Sequence, residues 1–171
     1  MNQVKIIIET TRLTICEASI EDFPFFKKLL NSPNWIEFIG DRGVKTDKQA
    51  VHYIKSSLIN SYEENGYGLY KMCLKESSVP IGICGFVKRD YLDNPDIGFA
   101  ILPEYEGKSY TTEACKATLA YGKSELKLHP ILGITTKKNS KSRYLLNKIG
   151  LQEKGKIKPP GDKEELLLFS T

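Results

Sequence analysis

Between residues 69 and 102 the chain carries three short apolar runs, 69–74, 81–87 and 96–102. They are rich in β-formers and divided by ESSVP and RDYLDNP. Runs this short, bounded by turn residues, are strands, and the brief first divider makes an antiparallel hairpin of the first two. After Pro103 the period changes. Tyr110, Ala114, Ala117 and Tyr121 recur at i, i+4, i+7 and i+11, which predicts a helix from about residue 107 to 126. His129-Pro130 ends it and 131–136 returns to strand. A hairpin followed by a strand–helix–strand crossover requires a mixed sheet, antiparallel in its first half and locally parallel where the crossover returns.

The flanking segments add to that sheet. Residues 4–17 read as an extended opening in which Leu13 and Ile15 alternate with Arg12 and Thr14. Ser19 begins S-I-E-D, a capping-box-like start, and Phe23, Phe26, Leu29 and Leu30 follow at helical spacing until Pro33. Thr46 opens a second capped helix through Val51, Ile54 and Leu58 to about Asn65, which Gly66-Tyr67-Gly68 breaks. Residues 139–149 form a short helix with Gly150 at its end. KPPGDKEE then turns the chain into a last strand, 166–169. The expected fold is one α/β (α+β) domain over residues 1–171, with a mostly antiparallel sheet of about seven strands flanked by four helices.

Charge and composition remove several classes. The net charge of +4 comes from 25 basic and 21 acidic residues spread along the chain, which argues against a nucleic-acid partner and suits an anionic small molecule. No apolar run approaches the ~20 residues needed to span a bilayer. Cys16, Cys73, Cys84 and Cys115 have no zinc spacing, and Cys73 and Cys84, about equally far from Ser77-Ser78, are candidate cross-strand neighbours. Reduced core thiols fit a cytoplasmic protein. His52 and His129 have no partner pattern for a triad or metal.

Gly107-Lys108-Ser109, entering the long helix, has the closing letters of a nucleotide P-loop. The pattern G-x-x-x-x-G-K-[ST] fails at its first glycine, where Leu102 stands, and Glu104 and Glu106 put carboxylates beside the phosphates. A helix N-terminus nevertheless offers unpaired N–H groups and the positive end of a dipole. Gly107 permits close approach, Lys108 adds a cation, and Ser109, Thr111 and Thr112 add hydroxyls. The loop is either a pyrophosphate site or an ordinary solvent-exposed junction.

DIGFAILPEYEGKSYTTEACKATLAYG followed by ILGITTKKNSKSRYLLNKIGL resembles the core of the GNAT superfamily of acetyl-CoA-dependent N-acyltransferases. It is most like the branch containing the ribosomal-protein N-terminal acetyltransferases, and the resemblance runs over nearly the whole chain. It implies acetyl-CoA as co-substrate, with its pyrophosphate on the amides of Gly107, Lys108, Ser109, Tyr110, Thr111 and Thr112. It further implies a pantetheine arm lying between splayed strands 96–102 and 131–136, against Phe99, Ala100, Ile101 and Leu102. The family signature [QR]-x-x-G-x-[GA] falls on Glu106, Ser109 and Thr111, so none of its three positions matches. Serine in that glycine position costs about 1–2 kcal/mol if the site is left-handed, which predicts weakened binding.

The resemblance also implies chemistry: direct attack of a primary amine on the thioester in a ternary complex. Asp96 stands where related enzymes often carry a basic carboxylate, although a strand-start aspartate after Asn94-Pro95 also satisfies a turn. Glu113 is either a second candidate or a carboxylate favouring the helix dipole. The tyrosine many relatives use as acid is replaced by Leu146, and Tyr144 lies about 200° around the helix from that place. Ser142 is then the candidate partner for the departing thiolate. Asn139 is expected both to cap its helix and to contact the cofactor arm. Lys137, Lys138, Lys141 and Arg143 either approach the 3′-phosphate or form a solvated basic face. Trp35 and Phe38, with Asp41 and Arg42 beyond them, are candidate acceptor contacts; core packing is the rival for the two aromatics. The acceptor is a protein or peptide N-terminus or a small-molecule amine, and the chain acts as a monomer or homodimer. The competing class is a non-catalytic CoA-binding or regulatory module with the same fold.

Overall fold

The computed structural model describes residues 4–171. Its strands are β1 (Ile6–Glu9), β2 (Leu13–Cys16), β3 (Leu69–Leu74), β4 (Pro80–Val87), β5 (Asp96–Ile101), β6 (Leu132–Thr135), β7 (Gln152–Ile157) and β8 (Leu166–Ser170). They form one sheet in the order β1-β2-β3-β4-β5-β6-β8-β7. The eighth strand arises because the extended opening is two strands: the Thr10 N–H donates to the Leu13 carbonyl at 2.9 Å and reverses the chain. All neighbours are antiparallel except β5 and β6, the pair the crossover predicts to be parallel.

Six α-helices replace the expected four: α1 (Phe23–Leu30), α2 (Pro33–Phe38), α3 (Asp47–Tyr53), α4 (Asn60–Asn65), α5 (Tyr110–Ser124) and α6 (Ser140–Lys148). α2 occupies a stretch expected as loop, because a proline in the first helical turn has no N–H to lose. The helix expected over 46–65 is present as one rod, but its centre, Ile54–Ile59, is π-helical between α3 and α4. Thr46 caps that rod as its motif predicts, accepting from the Gln49 N–H.

The sheet buries both faces. On one, Ala114, Cys115 and Leu119 of α5 meet Ile15, Met72, Phe86 and Phe169. On the other, Phe26, Leu29, Ile54 and Leu58 pack on Ile83 and Leu102. β3 and β4 approach so closely at one point that a Cβ added to Gly85 lies 2.0 Å from the Gly68 carbonyl oxygen. The cysteine expectation fails on register. Tyr70 faces Cys84 and Pro80 faces Cys73 across this hairpin. Cys84 instead lies 3.6 Å from Cys115, between β4 and α5, and all four cysteines are free and buried. Among the described residues no helix is long and apolar enough to cross a membrane.

Candidate functional site

β5 pairs with β4 from Asp96 to Ile101, whereas its contact with β6 is one register pair, Asp96 with Leu132. Beyond that pair the parallel strands part, leaving the β6-side backbone of residues 97–101 without a strand partner. A cleft of about 1470 Å³ opens there, reaching from the start of α5 past Phe99, Ala100 and Ile101 to Arg89 and Tyr91. This exceeds the volume a drug-sized ligand needs and leaves room for two substrates. Leu102 corrects the expected pantetheine wall: its N–H bonds to the Ile81 carbonyl at 2.8 Å and its side chain is buried in the core under α1.

The loop into α5 passes through two left-handed residues. Gly107 has φ +73° and a Cβ there meets nothing within 4 Å. Ser109 has φ +62°, the left-handed conformation that makes serine costly in a glycine position. Its side chain makes no capping bond, so the first-turn N–H groups of Tyr110, Thr111 and Thr112 remain available, and these residues line the cleft. Lys108 does not line the cleft: its ammonium lies over the Tyr105 ring, 5.6 Å from the centroid.

What holds this strained loop is Arg12, a residue the sequence reading did not single out. Its guanidinium donates to the Lys108 carbonyl at 3.0 Å and to the Glu113 carboxylate at 2.7 Å, and it stacks on Tyr110 at 4.4 Å. The Arg12 N–H and the Thr10 hydroxyl also donate to Glu113, at 2.8 and 2.7 Å. Partial burial pushes the Glu113 carboxyl up, but these bonds outweigh it and hold the group below its ordinary value of 4.5. Glu113 therefore ties α5 to the β1–β2 turn and is spent on that bond set.

Glu106 bridges the cleft, accepting from the Asn34 amide on α2 and from the Lys141 ammonium on α6, the latter at 2.8 Å. Of Lys137, Lys138, Lys141 and Arg143, Lys141 alone lines the cleft; Arg143 donates to the Lys137 carbonyl at 3.4 Å. Asn139 caps α6 by accepting from the Ser142 N–H at 3.0 Å, and both residues line the cleft. Leu146 is a core residue, 1% exposed, and Tyr144 is 67% exposed beneath Lys148.

Asp96 is 1% exposed and faces a guanidinium: Arg89 Nε donates to Oδ1 at 2.7 Å and Nη2 to Oδ2 at 3.4 Å. Burial raises its carboxyl above the ordinary range, and the neighbouring Arg89 offsets only part of that rise. At the other end, Trp35 and Phe38 line the cleft with Arg42. Trp35 also belongs to the core, and its Nε1 is buried without a partner. Asp41 is engaged by the Gly43 N–H and Lys45, His52 lies in a separate shallow pocket, and His129 is exposed. Arg12, Asn34 and Arg89 carried no local signal, because each acquires meaning only through a partner brought to it by the fold.

Comparison with known proteins agrees with this arrangement. Residues 12–152 match the family model described as an acetyltransferase (GNAT) domain. An N-acetyltransferase of Bacillus subtilis, YnaD, is 28% identical over 151 residues, covering 88% of this chain and 85% of that one. The N-acetyltransferase p20 of Bacillus licheniformis is 26% identical over 87% of this chain and 84% of its own length. Among solved structures, an acetyltransferase from Agrobacterium tumefaciens superposes with a TM-score of 0.79 at 22% identity, over 100% of this chain and 95% of that one. RimL, a ribosomal L7/L12 α-N-protein acetyltransferase in complex with coenzyme A, superposes with 0.83 at 14% identity, over 98% and 97%. With the family model spanning the parted strands, the loop into α5 and α6, the chain belongs to the GNAT acetyltransferase family and is an N-acetyltransferase.

Proposed function

We propose that this chain moves the acetyl group of acetyl-CoA to a primary amine by direct attack in a ternary complex. The observation that carries the reading is the unpaired edge of β5 ending at the open N-terminus of α5. An extended amide-bearing arm suits the first, and a pyrophosphate suits the second. The buried Thr136 hydroxyl has no partner and lies on a cleft-lining residue beyond the end of β6, so the wall offers a further polar group to that arm. The residues thus fit the co-substrate. Backbone N–H groups of Gly107, Ser109, Tyr110, Thr111 and Thr112 hold the phosphates, the edge from Phe99 to Ile101 aligns the arm, and Asn139 flanks it. The co-substrate supplies a thioester carbonyl open to a neutral amine.

For the chemistry, Ser142 on the first turn of α6 hydrogen-bonds the departing sulfur, a role Leu146 in the core cannot fill. β5 backbone N–H groups meet the charge developing on the carbonyl oxygen. Asp96 is enclosed and engaged by Arg89, so the amine proton leaves through water in the open cleft. The acceptor, a protein or peptide N-terminus or a small-molecule amine, is received in the same cleft, with Trp35 and Phe38 on one wall. The overall likeness to RimL, whose named activity is on a protein α-amine, supports the first of these.

The test is thermal unfolding with saturating acetyl-CoA, CoA or Mg-ATP. A ligand at a hundred times its Kd adds roughly 2.7 kcal/mol, a rise of about 5–10 °C for a chain of this size. A shift with both CoA ligands and none with Mg-ATP is expected; no CoA shift would overturn the reading. The second reading, a non-catalytic CoA-binding module, is favoured by Leu146 where relatives carry an acid. It is separated by CoA release over an amine and peptide panel, which an enzyme shows and a module does not.

A further inference from the structure

Arg89 is the one guanidinium in the cleft held by a buried carboxylate, and its geometry is directional. Two of its five N–H donors meet Asp96, at 2.7 and 3.4 Å, and the Tyr91 side chain stands beside the remaining three. The Asp96 side chain is 2% exposed, whereas that of Arg89 is 30% exposed and lines the cleft with Tyr91. The pair therefore has a closed end and an open end. Burying that carboxylate carries a desolvation cost that the Arg89 bonds offset, and the pair fixes the direction of the guanidinium.

Its place in the sheet says what it serves. Asp96 is the point from which β5 and β6 part. Phe99, three residues further along an extended strand, is about 10 Å away. On the acetyl-transfer reading the open guanidinium thus stands beyond the reacting carbon, on the Asp96 side of the cleft, where an acceptor's remainder can lie once its amine reaches the thioester. Planar N–H pairs in a partly dehydrated cleft select a planar oxyanion.

We propose that Arg89, oriented by Asp96, is a specificity-determining residue that binds a carboxylate on the acceptor, so that the substrate class is amines carrying a carboxylate several bonds from the nitrogen. This rests on the acetyl-transfer reading above. Asp96 is then a positioning residue, and its partner touches substrate.

The experiment is steady-state CoA release with matched acceptors. One pair is the tripeptide amides Ala-Glu-Ala and Ala-Gln-Ala; the other is aminocaproate against its carboxamide. The wild-type protein is expected to favour the anionic member of at least one pair by roughly tenfold or more in kcat/KM, expressed mainly in KM. Which pair discriminates tells a peptide from a small amino acid. Arg89→Gln is expected to erase the preference and Arg89→Lys to retain part of it. Because Arg89→Gln leaves Asp96 buried without its partner, the double variant Arg89→Gln, Asp96→Asn is measured beside it and is expected to lose the preference likewise. Turnover of both members at equal kcat/KM by the wild type, or a preference that survives Arg89→Gln, overturns the proposal while acetyl transfer stands. Absence of CoA release from every acceptor overturns the acetyl-transfer reading, and this inference with it.

Discussion

Arg12→Ala is expected to raise the KM for acetyl-CoA by roughly 30-fold, with a much smaller change in kcat. The side chain does not line the cleft, but it fixes the Lys108 carbonyl and the Glu113 carboxylate at the start of α5. Charge-assisted bonds in a partly buried set are worth about 2 kcal/mol, which is a factor of about 30 in affinity if the loop must be ordered again on binding. Two controls separate positioning from general damage. Arg12→Lys keeps the charge but loses the fork, so an intermediate KM is expected. Ser109→Gly in the Arg12→Ala background recovers part of the affinity, because glycine adopts a φ near +62° without the serine penalty.

The same bond set fixes a pH dependence. Glu113 titrates below its ordinary 4.5 in the folded chain, so the unfolded chain binds its proton more readily. Its stabilising contribution is fully present above about 4.5 and is lost as pH falls through the lowered folded value. The melting-temperature difference between wild type and Arg12→Ala is therefore largest near neutrality and narrows in acid. A difference that stayed constant down to acid unfolding would exclude the Glu113 contact as its source.

Gly85→Ala is expected to cost about 3 kcal/mol, a fall of roughly 6–12 °C in melting temperature by differential scanning calorimetry. The added methyl lies 2.0 Å from the Gly68 carbonyl oxygen and 2.8 Å from the Leu69 Cα. Both are backbone atoms of the neighbouring chain segment, where the Phe86 N–H bonds to that same carbonyl at 3.0 Å. No rotamer change relieves the contact, so the strands must separate. A stability loss below about 0.5 kcal/mol, the range of ordinary surface substitutions, would show that the approach is looser than described.

The parts legible in the sequence were those written in local pattern. The alternation and turn residues of 69–102, the helical period from Tyr110 to Tyr121, and the crossover between them define the sheet and its one parallel pair. The left-handed cost at Ser109 was also readable, because it is a property of one residue's backbone. The bond sets around the site were not. Arg12 and Glu113 are 101 positions apart and Glu106 and Lys141 are 35, and no spacing rule connects residues whose proximity the completed sheet creates. Leu102 was misplaced for the same reason: its apolar character fits either wall of a strand's end, and only its bond to Ile81 decides which. Asp96 was found by position, but its companion Arg89 was not, because the β4–β5 connection that joins them has no regular period.

The sheet has seven strand-to-strand seams, and the one between β5 and β6 is closed by a single register pair. The two parts of the sheet are otherwise joined by the core they share, where Leu167 and Phe169 pack with Met72 and Phe86. An extended ligand in the open seam stands in the place of a strand, and its binding is expected to stiffen residues 97–101.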